Sequence, residues 1–540
     1  MILTELYTNR KEMLTVPDKK RLLPMSVQNF EILRNEDCIY VDKTEYIYSL
    51  AHDVAQFFLS RPRRFGKSLF LSALKAYWEG KKELFSGLAI EKLEEGNADA
   101  WKPHPVFYFD FNGENYSETS VENVLVKHLK RWEELYDIND NSESLGERFQ
   151  NLLIKVKQKT GMRCVVLVDE YDKPLLDMAD DQELQEKYKN TFKGFFSNLK
   201  SCNEYIRFVF ITGVTKFHKV SIFSDLNQLK DISLSEDFSD ICGITEKELR
   251  DNFAPEIAAM ADKHHISEEE CLVKLKQQYD GYRYHQNGSC LYNPFSLINA
   301  FSDKEFGAYW FETGTPSFLM KQIRENNFDV RKFSDKTIYA NERTLKDYTG
   351  DSLDFIPLLY QSGYLTIAEY DARRRRYTLA LPNEEVKYAF YESLMPVYVP
   401  SARPGSGLDI FTLEDKIENG DLDAVRDFFT ALFARIPYTS ADTTFEHYFQ
   451  TVIYLVFTLL GQFTECELHT FSGRIDCIVQ TSGFIYLFEF KRDESADSAL
   501  KQINDNIYAL PFASDSRKLY KIGVSFDSDK RVLADWKVEE

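Results

Sequence analysis

Residues 54–68 read VAQFFLSRPRRFGKS and decide the fold of the first half of the chain. The apolar run at 54–59 predicts a buried strand, and the LFLSALKAYW sequence that comes next predicts a helix. A strand, a turn with outward-facing backbone N–H groups, a Gly-Lys-Ser triplet and a helix together form a phosphate-binding loop. Arg61, however, stands where the first glycine of that pattern is expected. The segment therefore predicts either a nucleotide site that includes Lys67 and Ser68 or a basic turn before a helix.

Two later strands end in residues that would complete such a site. The apolar run at 164–168 is followed by Asp169 and Glu170, and the run at 208–211 is followed by Thr212. In phosphoryl transfer an acid at this place holds Mg²⁺, and a second one orients the attacking water. An acidic pair after a strand is also common in solvated loops. The three elements in this order predict binding of a nucleoside triphosphate, with the Thr212 hydroxyl sensing the γ-phosphate.

Each residue of the predicted nucleotide site has an expected role. Gly66, Lys67 and Ser68 would bind the phosphates of ATP. Ser68 and Asp169 would hold Mg²⁺, and Glu170 would be catalytic.

Strand-like and helical stretches alternate between residues 50 and 250. The strand-like runs lie at 54–59, 106–111, 164–168 and 208–211, separated by amphipathic segments. This alternation predicts an α/β domain with a parallel sheet covered on both faces. Ligands bind at the carboxyl ends of the strands in such sheets, where the candidate residues lie.

Composition limits the class of protein. The chain has 540 residues, and 66 basic against 86 acidic side chains leave a net charge of 66 − 86 = −20. The length predicts several domains, and the acidic balance argues against coating nucleic acid by bulk charge. Eight cysteines without a CxxC pair predict neither a disulfide framework nor structural zinc. With no run of about 18 apolar residues and no signal-peptide pattern, we expect a cytoplasmic protein without a membrane partner.

The C-terminal region predicts a hairpin followed by a helix. Residues 473–479 and 484–491 are strand-like and are joined by a turn at 481–483. The alternation of side chains along the second strand places Glu489 and Lys491 on one face. An acid and a base thus lie side by side at the end of an apolar strand, where two charges need compensation.

These residues predict a metal site with hydrolytic chemistry. Asp476, Glu489 and the carbonyl of Phe490 offer oxygen ligands to Mg²⁺, with Mn²⁺ as an alternative. Lys491 would orient or deprotonate a water for attack on a phosphodiester, and Gln502 would bind that water or a substrate phosphate. An E-x-K sequence on a charged strand is also a common ion pair.

Glu446, on a predicted helix with an apolar face, would complete this catalytic set. The region supplies little positive charge for binding a polyanion. Residues 438–540 contain 10 Lys and Arg against 16 Asp and Glu. We therefore expect substrate capture to involve other parts of the chain.

The middle of the chain predicts a winged-helix hairpin. Residues 355–367 read as a helix entering a strand, and a basic turn at 373–376 leads into the strand at 377–381. Four successive arginines at a wing tip would bind phosphates without sequence preference. A solvated turn or a protein contact is the alternative. Residues 401–407, SARPGSG, read as a linker.

The first half of the chain resembles a known family. The sequences LPMSVQNFEILRNEDCIYVDKTEYIYSL, FFLSRPRRFGKSLFLSAL, VVLVDEYDKPL and FVFITGVTKF are similar to the bacterial AAA-ATPase-like family over residues 20–300. The motifs YDGYR at 279–283 and YNPFS at 292–296 resemble its lid region. The resemblance implies that Arg63 and Arg64 belong to the phosphate environment. It also implies that residues 40–43 (Tyr40, Val41, Asp42 and Lys43) lie near the nucleotide base.

The C-terminal order of helix, hairpin, E-x-K and helix resembles the PD-(D/E)XK nuclease superfamily over residues 440–540. The expected fold class is α/β: a P-loop NTPase parallel-sheet domain, a helical lid, a winged-helix-like middle and a restriction-endonuclease-like domain. The corresponding ranges are 1–245, 246–345, 346–400, a linker and helix at 401–437, and 438–540.

Two functional hypotheses follow. The first is an ATPase that controls a Mg²⁺-dependent nuclease acting on DNA or RNA. The second is a nucleotide-switched regulatory protein whose nuclease-like domain binds nucleic acid without cutting it. A nuclease with a purely structural phosphate loop is a further alternative. An arginine supplied by a second copy would imply a homo-oligomer, with candidates Arg63, Arg64, Arg207 and Arg283.

Overall fold

The computed structural model separates into two compact units, Met1–Tyr309 and Trp310–Glu540, which are described individually. The described residues are 22–140, 142, 144–217, 229–310, 319–320, 323, 328, 330–333, 337–346, 348, 355–398, 411–434, 445–460, 463–470, 473–527, 530 and 532–540. No helix within these ranges is long and apolar enough to cross a membrane.

A parallel sheet of five strands forms the centre of the first unit. The strands are β1 Gln56–Ser60, β2 Val106–Asp110, β3 Cys164–Asp169, β4 Ile206–Gly213 and β5 Leu229–Asp231. Their spatial order is β2-β3-β4-β1-β5, and every pairing is parallel. The residues of β1 and β3 are all buried, as expected of strands covered on both faces.

Nine helices pack around this sheet in the part of the first unit that the structure describes before residue 240. They are α1 Phe30–Asn35, α2 Thr44–Ala51, α3 Lys67–Trp78, α4 Ala89–Leu93, α5 Val121–Leu135, α6 Leu145–Thr160, α7 Lys173–Asp177, α8 Gln182–Phe196 and α9 Asn198–Ser201. Short 3₁₀ segments occur at Lys82–Phe85, Asn203–Tyr205 and Glu236–Phe238.

A small helical subdomain ends the first unit. It contains α10 Glu246–Lys263, α11 Glu268–Tyr279 and α12 Pro294–Asp303, with the two short strands β6 Ile244–Thr245 and β7 Leu291–Tyr292. Thr245 and Ser267 begin α10 and α11 with capping boxes, which fix where these helices start. The three helices share one apolar cluster. This is the region whose sequence predicts a lid.

The second unit contains a three-stranded sheet with a hairpin. Its strands are β8 Ile338–Ala340, β9 Thr366–Asp371 and β10 Arg376–Ala380, in the order β8-β10-β9, and both pairings are antiparallel. The helices are α13 Glu342–Lys346, α14 Ile356–Gln361 and α15 Glu384–Tyr398, with a 3₁₀ segment at Val330–Phe333. The helix, the two strands and the basic turn are as the sequence predicts. The predicted linker at 401–407 lies outside the described residues.

The remainder of the second unit is built on a five-stranded mixed sheet. Its strands, in spatial order, are β11 Phe463–Thr470, β12 Gly473–Gln480, β13 Phe484–Arg492, β14 Lys518–Asp527 and β15 Val532–Glu539. Only β13 and β14 pair in parallel. The helices are α16 Phe411–Glu418, α17 Leu422–Ala434, α18 Phe445–Leu459 and α19 Ala496–Asp505, with a 3₁₀ segment at Leu510–Phe512.

The structure shows the mixed α/β architecture that the sequence predicts, with shifted boundaries. The first strand begins at Gln56 and not at Val54, because Val54 is 98% exposed in the turn after α2. The edge strand β5 was not predicted, since three residues of mixed polarity carry no periodic pattern.

Candidate functional sites

The phosphate loop joins β1 to α3. Gly66 precedes the first residue of α3 with φ of 97°, a left-handed conformation that suits glycine and turns the chain into the helix. The N–H groups of this first turn have no partner within the helix and can bind an anion. Lys67 is buried, and its Nζ donates to the carbonyl of Pro62 at 3.0 Å and contacts Glu170 Oε1 at 3.0 Å.

Arg61, which replaces the expected glycine, is buried in the protein interior. Its guanidinium donates to the carbonyl oxygens of Ser60 at 2.9 Å, Ser233 at 2.8 Å, Phe238 at 3.0 Å and Ser239 at 3.3 Å. It also lies 3.9 Å from the ring centre of Tyr284. Burial of this cation is thus compensated by carbonyls and an aromatic face, and the guanidinium ties the loop to the chain after β5.

The next residues of the loop contact the helical subdomain. The guanidinium of Arg64 lies 3.7 Å from the ring centre of Phe295 and donates to the carbonyl of Tyr309 at 3.3 Å. Phe65 packs edge-on against Tyr282, with ring centres 5.0 Å apart. Arg63 is half-buried. The YDGYR and YNPFS motifs therefore supply the aromatic surface against which the phosphate loop rests.

Asp169, at the end of β3, lies in a buried acidic environment. Tyr108 donates to its Oδ2 at 3.1 Å, while Oδ1 is buried without a hydrogen-bond partner among the described residues. Burial and the neighbouring Glu170 charge raise the pKa of Asp169 to about 7, with partial compensation from Ser68 and Lys67. A cation bound here would remove the cost of the buried charge.

Glu170 follows with an unusual backbone. Its φ of 51° lies in the left-handed region, which is uncommon for residues other than glycine and costs about 1–3 kcal/mol. This conformation brings its carboxylate to Lys67. The strain coincides with the position where the sequence predicts a catalytic acid.

β4 lies between β1, which leads into the phosphate loop, and β3, which ends at Asp169. Thr212, near its end, is buried, and its hydroxyl has no hydrogen-bond partner among the described residues. Thr212 pairs with Leu59 on β1, and Ile211 pairs with Val168 on β3. The strand order therefore assembles the three predicted elements at one edge of the sheet.

An apolar cavity of about 90 Å³ adjoins the start of α3. Its lining includes Tyr40, Val41, Lys43, Phe65, Gly66, Leu69, Ile241, Gly243, Phe253 and Ile298. Asp42, in contrast, accepts hydrogen bonds from the N–H groups of Thr44 and Ala89 and is engaged at the start of α2. Three of the four residues implied to lie near the base thus line this apolar cavity beside the phosphate loop.

A second acidic cluster lies in the C-terminal sheet. Asp476 on β12 accepts a hydrogen bond at 2.9 Å from the backbone N–H of Phe490 on β13. The neighbouring Glu489 is 1% exposed, and its Oε2 has no hydrogen-bond partner in the described part of the chain. Burial, and then the charge of Asp476, raise the pKa of Glu489 to about 8.

Lys491 and Gln502 complete this cluster. Lys491 Nζ contacts Glu489 Oε1 at 3.4 Å and donates to Gln502 Oε1 at 2.5 Å. Gln502 lies on α19, which packs on β13 and β14. The structure therefore brings together Asp476, Glu489, Lys491 and Gln502, as the predicted site requires.

The residues of this cluster fit a divalent cation. Two carboxylates, one carrying a buried unpartnered oxygen, form an oxygen-rich and negatively charged site. Within the described ranges no group of three or more His, Cys, Asp or Glu side chains is placed to hold a metal ion. Glu446 lies in the first turn of α18, and its side chain is outside the described residues. The location of the Phe490 carbonyl relative to a metal stays a prediction.

Among the arginines outside the two clusters, some have partners within the protein and others are exposed to solvent. Arg207 donates to the carbonyl of Ala51 at 2.8 Å, and Arg283 donates to Cys290 Sγ at 3.2 Å. In the turn between β9 and β10, Arg374 pairs with Asp371 at 2.9 Å, whereas Arg376 lies over the ring of Tyr339 at 3.9 Å. The other two arginines of this turn, 373 and 375, are exposed.

Sequence reasoning missed three acids and bases of the first site. The sequence predicts Arg61 only as a replaced glycine, and three of its four carbonyl partners, on Ser233, Phe238 and Ser239, lie more than 170 residues away. Asp110 ends β2 opposite Asp169, and the rule used for the other strand ends could have found it. Asp172 is fully buried and binds the segment after β4, for which the acid three residues beyond Asp169 is the only sequence signal.

Two family models match the chain. Residues 24–223 match a predicted AAA-ATPase family, and residues 444–536 match the PD-(D/E)XK nuclease superfamily. With the folds of the two units, these matches define a protein that joins an AAA-ATPase-like domain to a C-terminal PD-(D/E)XK nuclease superfamily domain, and the chain belongs to this family.

A curated relative has the same extent. The uncharacterized protein in the vnfD 5′ region of Azotobacter chroococcum mcd 1 is 34% identical over 536 residues, which are 96% of this chain and 99% of the relative. Among solved structures, the Aeropyrum pernix ORC2 protein (ADPNP-ADP complexes) is 11% identical, with a TM-score of 0.23 over 70% of this chain and 97% of that chain.

Proposed function

We propose that the protein binds and hydrolyses ATP and thereby controls a metal-dependent phosphodiesterase that acts on nucleic acid. The observation that carries the proposal is the presence of two assembled polar clusters in one chain. Lys67, Glu170 and Asp169 form the first, and Glu489 and Lys491 belong to the second. Each contains a buried carboxylate with a raised pKa, a feature that marks functional sites.

In the first site, the N–H groups at the start of α3 and the ammonium of Lys67 would bind the phosphates. Glu170 would exchange its contact with Lys67 for the attacking water, and Thr212 would donate to the γ-phosphate. The apolar cavity beside Gly66 would hold the base. Mg²⁺ on Ser68 and Asp169 would supply neutralisation of charge on the phosphates.

In the second site, Asp476 and Glu489 would hold Mg²⁺ or Mn²⁺, which supplies charge neutralisation at the phosphodiester. Lys491, which lies between Glu489 and Gln502, would orient the attacking water through its ammonium or, as the neutral amine, accept a proton from that water. Gln502 would fix the Lys491 ammonium and bind a phosphate oxygen. Glu446, on α18, would complete the set.

Nucleic acid is the proposed substrate class, bound through the C-terminal domain and the arginine turn at 373–376. The turn compensates for the acidic balance of the nuclease-like domain, because phosphate contacts depend on local positive charge. A homo-oligomer is also proposed, in which a second copy would supply an arginine to the bound phosphates, with Arg63, Arg64, Arg207 and Arg283 as the candidates.

The test is cleavage of end-labelled single- and double-stranded DNA and RNA, with Mg²⁺ or Mn²⁺ and with or without ATP. We expect cleavage of at least one substrate by the wild type and loss of at least 100-fold in Asp476→Ala. A matched control is Asp497→Ala, which removes an exposed carboxylate of the same domain at the start of α19. Equal cleavage by wild type and Asp476→Ala would show a contaminating nuclease.

The alternative function, a nucleotide-switched protein that binds nucleic acid without cutting it, makes a different prediction. It predicts ATP-dependent binding of labelled nucleic acid and no cleavage with either metal. Filter binding with the same substrates distinguishes the two functions.

A further inference from the structure

The four residues after the core of β3, Asp169 to Asp172, divide into two pairs. Asp169 and Glu170 belong to the proposed nucleotide site. Tyr171 and Asp172 are completely buried and turn toward the segment that follows β4. The second pair has no place in the mechanism described above.

The Asp172 carboxylate is surrounded by donors from this segment. It accepts from the backbone N–H of Val214 at 3.1 Å, the backbone N–H of Thr215 at 2.6 Å and the hydroxyl of Thr215 at 2.7 Å. Three donors on one buried carboxylate form a strong, charge-assisted arrangement with fixed geometry. The end of β4 is therefore held to the end of β3 by one side chain.

The surroundings leave little freedom for a different arrangement. A Cβ atom on Gly213 would lie 2.3 Å from Asp172 Oδ1, so the carboxylate rests directly on the backbone of β4. Tyr171 adds two contacts, from its N–H to the carbonyl of Thr212 at 3.1 Å and from its hydroxyl to the carbonyl of Thr215 at 2.9 Å. The two residues thus bind both sides of Gly213.

Glu170 lies between two fixed points. Asp169 is paired within the sheet through β3, and Asp172 is held by the segment after β4. The short connection between them leaves Glu170 in its left-handed conformation, with φ of 51°. In that conformation its Oε1 reaches Lys67 Nζ at 3.0 Å.

We propose that Asp172 is a positioning residue that sets Glu170 and Thr212 for ATP hydrolysis, by clamping the end of β4 to the end of β3. The inference rests on the proposed ATPase function. The hydrogen bonds of Asp172 go to the segment after β4, and Asp172 does not line the apolar cavity, so we expect nucleotide affinity to depend mainly on other residues. Loss of the clamp therefore lowers turnover and leaves binding intact.

The test compares Asp172→Asn with two milder variants of its partner. Thr215→Val keeps the shape of the side chain and removes the hydroxyl donor, whereas Thr215→Ser keeps the hydroxyl. We expect kcat for ATP hydrolysis to fall at least tenfold in Asp172→Asn and several-fold in Thr215→Val, and to stay within twofold of wild type in Thr215→Ser. The Kd of ATP with Mg²⁺, by calorimetry, stays within threefold in all three.

Asp177→Asn is the matched control, because Asp177 is exposed on α7 and pairs with Lys173. Wild-type kcat in Asp172→Asn, or equal parallel losses of kcat and affinity in the folded Thr215→Val, would overturn the proposal.

A crystal structure of Asp172→Asn gives a readout that needs no hydrolysis. The positioning role predicts that Glu170 leaves the left-handed conformation and separates from Lys67. If wild-type protein binds ATP without hydrolysing it, the proposed function fails, and this structure still decides the positioning role. Glu170 unchanged in the variant would overturn it.

Discussion

Lys67 Nζ and Glu170 Oε1 contact one another at 3.0 Å. The β and γ phosphates of ATP would compete with Glu170 for the Lys67 ammonium, because both are anions that pair with the same cation. We therefore expect nucleotide binding to release Glu170 from Lys67 toward the attacking water.

Glu170→Gln tests this link. Glutamine keeps the shape and removes both the competing charge and the base, so we expect ATP affinity equal to or tighter than wild type and hydrolysis slower by about 10²–10⁴-fold. Calorimetry and single-turnover hydrolysis measure the two effects. The control is Glu183→Gln, which changes an exposed residue of α8. Unchanged turnover in Glu170→Gln would exclude Glu170 as the catalytic base.

Metal binding at Glu489 should depend on pH. Its pKa is raised to about 8, so the carboxyl is largely protonated at pH 6 and must lose a proton to bind a cation. We expect Mn²⁺ affinity at pH 6 to be weaker than at pH 9 by at least tenfold, with proton release at the lower pH. Calorimetry in buffers of different ionisation enthalpy measures both, and affinity independent of pH would contradict this assignment.

The same carboxyl should affect stability in the absence of metal. The pKa of Glu489 is higher in the folded than in the unfolded protein. The contribution of this carboxyl to the free energy of unfolding is therefore complete below the ordinary pKa of 4.5 and is lost as the pH rises through about 8. Glu489→Gln should therefore change the Tm little at pH 4 and raise it by at least about 2 °C at pH 9. Thermal unfolding with a chelator present measures the difference, and an equal shift at both pH values would contradict it.

At the scale of elements, the sites follow from strand order. β4 lies between β1 and β3, and parallel strands bring their carboxyl ends to one edge of the sheet. Lys67, Thr212 and Asp169 therefore lie at the same edge, although they are far apart in the sequence. The Arg61 guanidinium adds a connection from the end of β1 to the chain after β5. The start of the phosphate loop is therefore fixed to a distant part of the chain.

Arg61→Gly would restore the usual glycine of a phosphate loop, yet we expect it to destabilise the first unit. The carbonyls of Ser233, Phe238 and Ser239 would lose a charged donor, which costs about 3 kcal/mol or more in total. Urea unfolding measures the change in the free energy of unfolding. The control is Arg131→Ala on the exposed side of α5, since a glycine at that position would weaken the helix. A free energy of unfolding equal to that of the wild type would contradict a stabilising role for the Arg61 contacts.

The sequence predicts these elements better than the contacts between them. Long apolar runs at 164–168 and 484–491 specify buried strands, and the motifs at their ends identify the candidate residues. The partners of Arg61 and Asp172 could not be predicted, because hydrogen bonds to backbone carbonyls and N–H groups leave no mark on the partner side chains. The left-handed φ of Glu170 is likewise set by tertiary contacts and not by its own propensity.

At the scale of the molecule, charge is unevenly distributed. The chain carries −20 overall, while the turn between β9 and β10 contains four successive arginines. Arg374 and Arg376 have partners within the sheet, and Arg373 and Arg375 are exposed. This turn is therefore the local positive feature that we expect to contact a polyanion.

The double variant Arg373→Ala/Arg375→Ala tests this contact. If each arginine binds one phosphate, the slope of log K against log salt should decrease in magnitude by about 1.8 for DNA duplexes, equally for unrelated sequences. Fluorescence anisotropy at several salt concentrations measures the slope. Lys247→Ala/Arg250→Ala removes two exposed charges from α10 as control, and an unchanged slope in the arginine-turn variant would exclude the contact.

We expect nucleotide bound in the first unit to control cleavage in the second. The most direct measurement is the rate of cleavage of the best substrate with and without ATP, in wild type and in Lys67→Ala. We expect ATP to change the cleavage rate at least fivefold in the wild type and less than 1.5-fold in Lys67→Ala. Adding Asp476→Ala to either protein should abolish cleavage. An equal response to ATP in wild type and Lys67→Ala would contradict it.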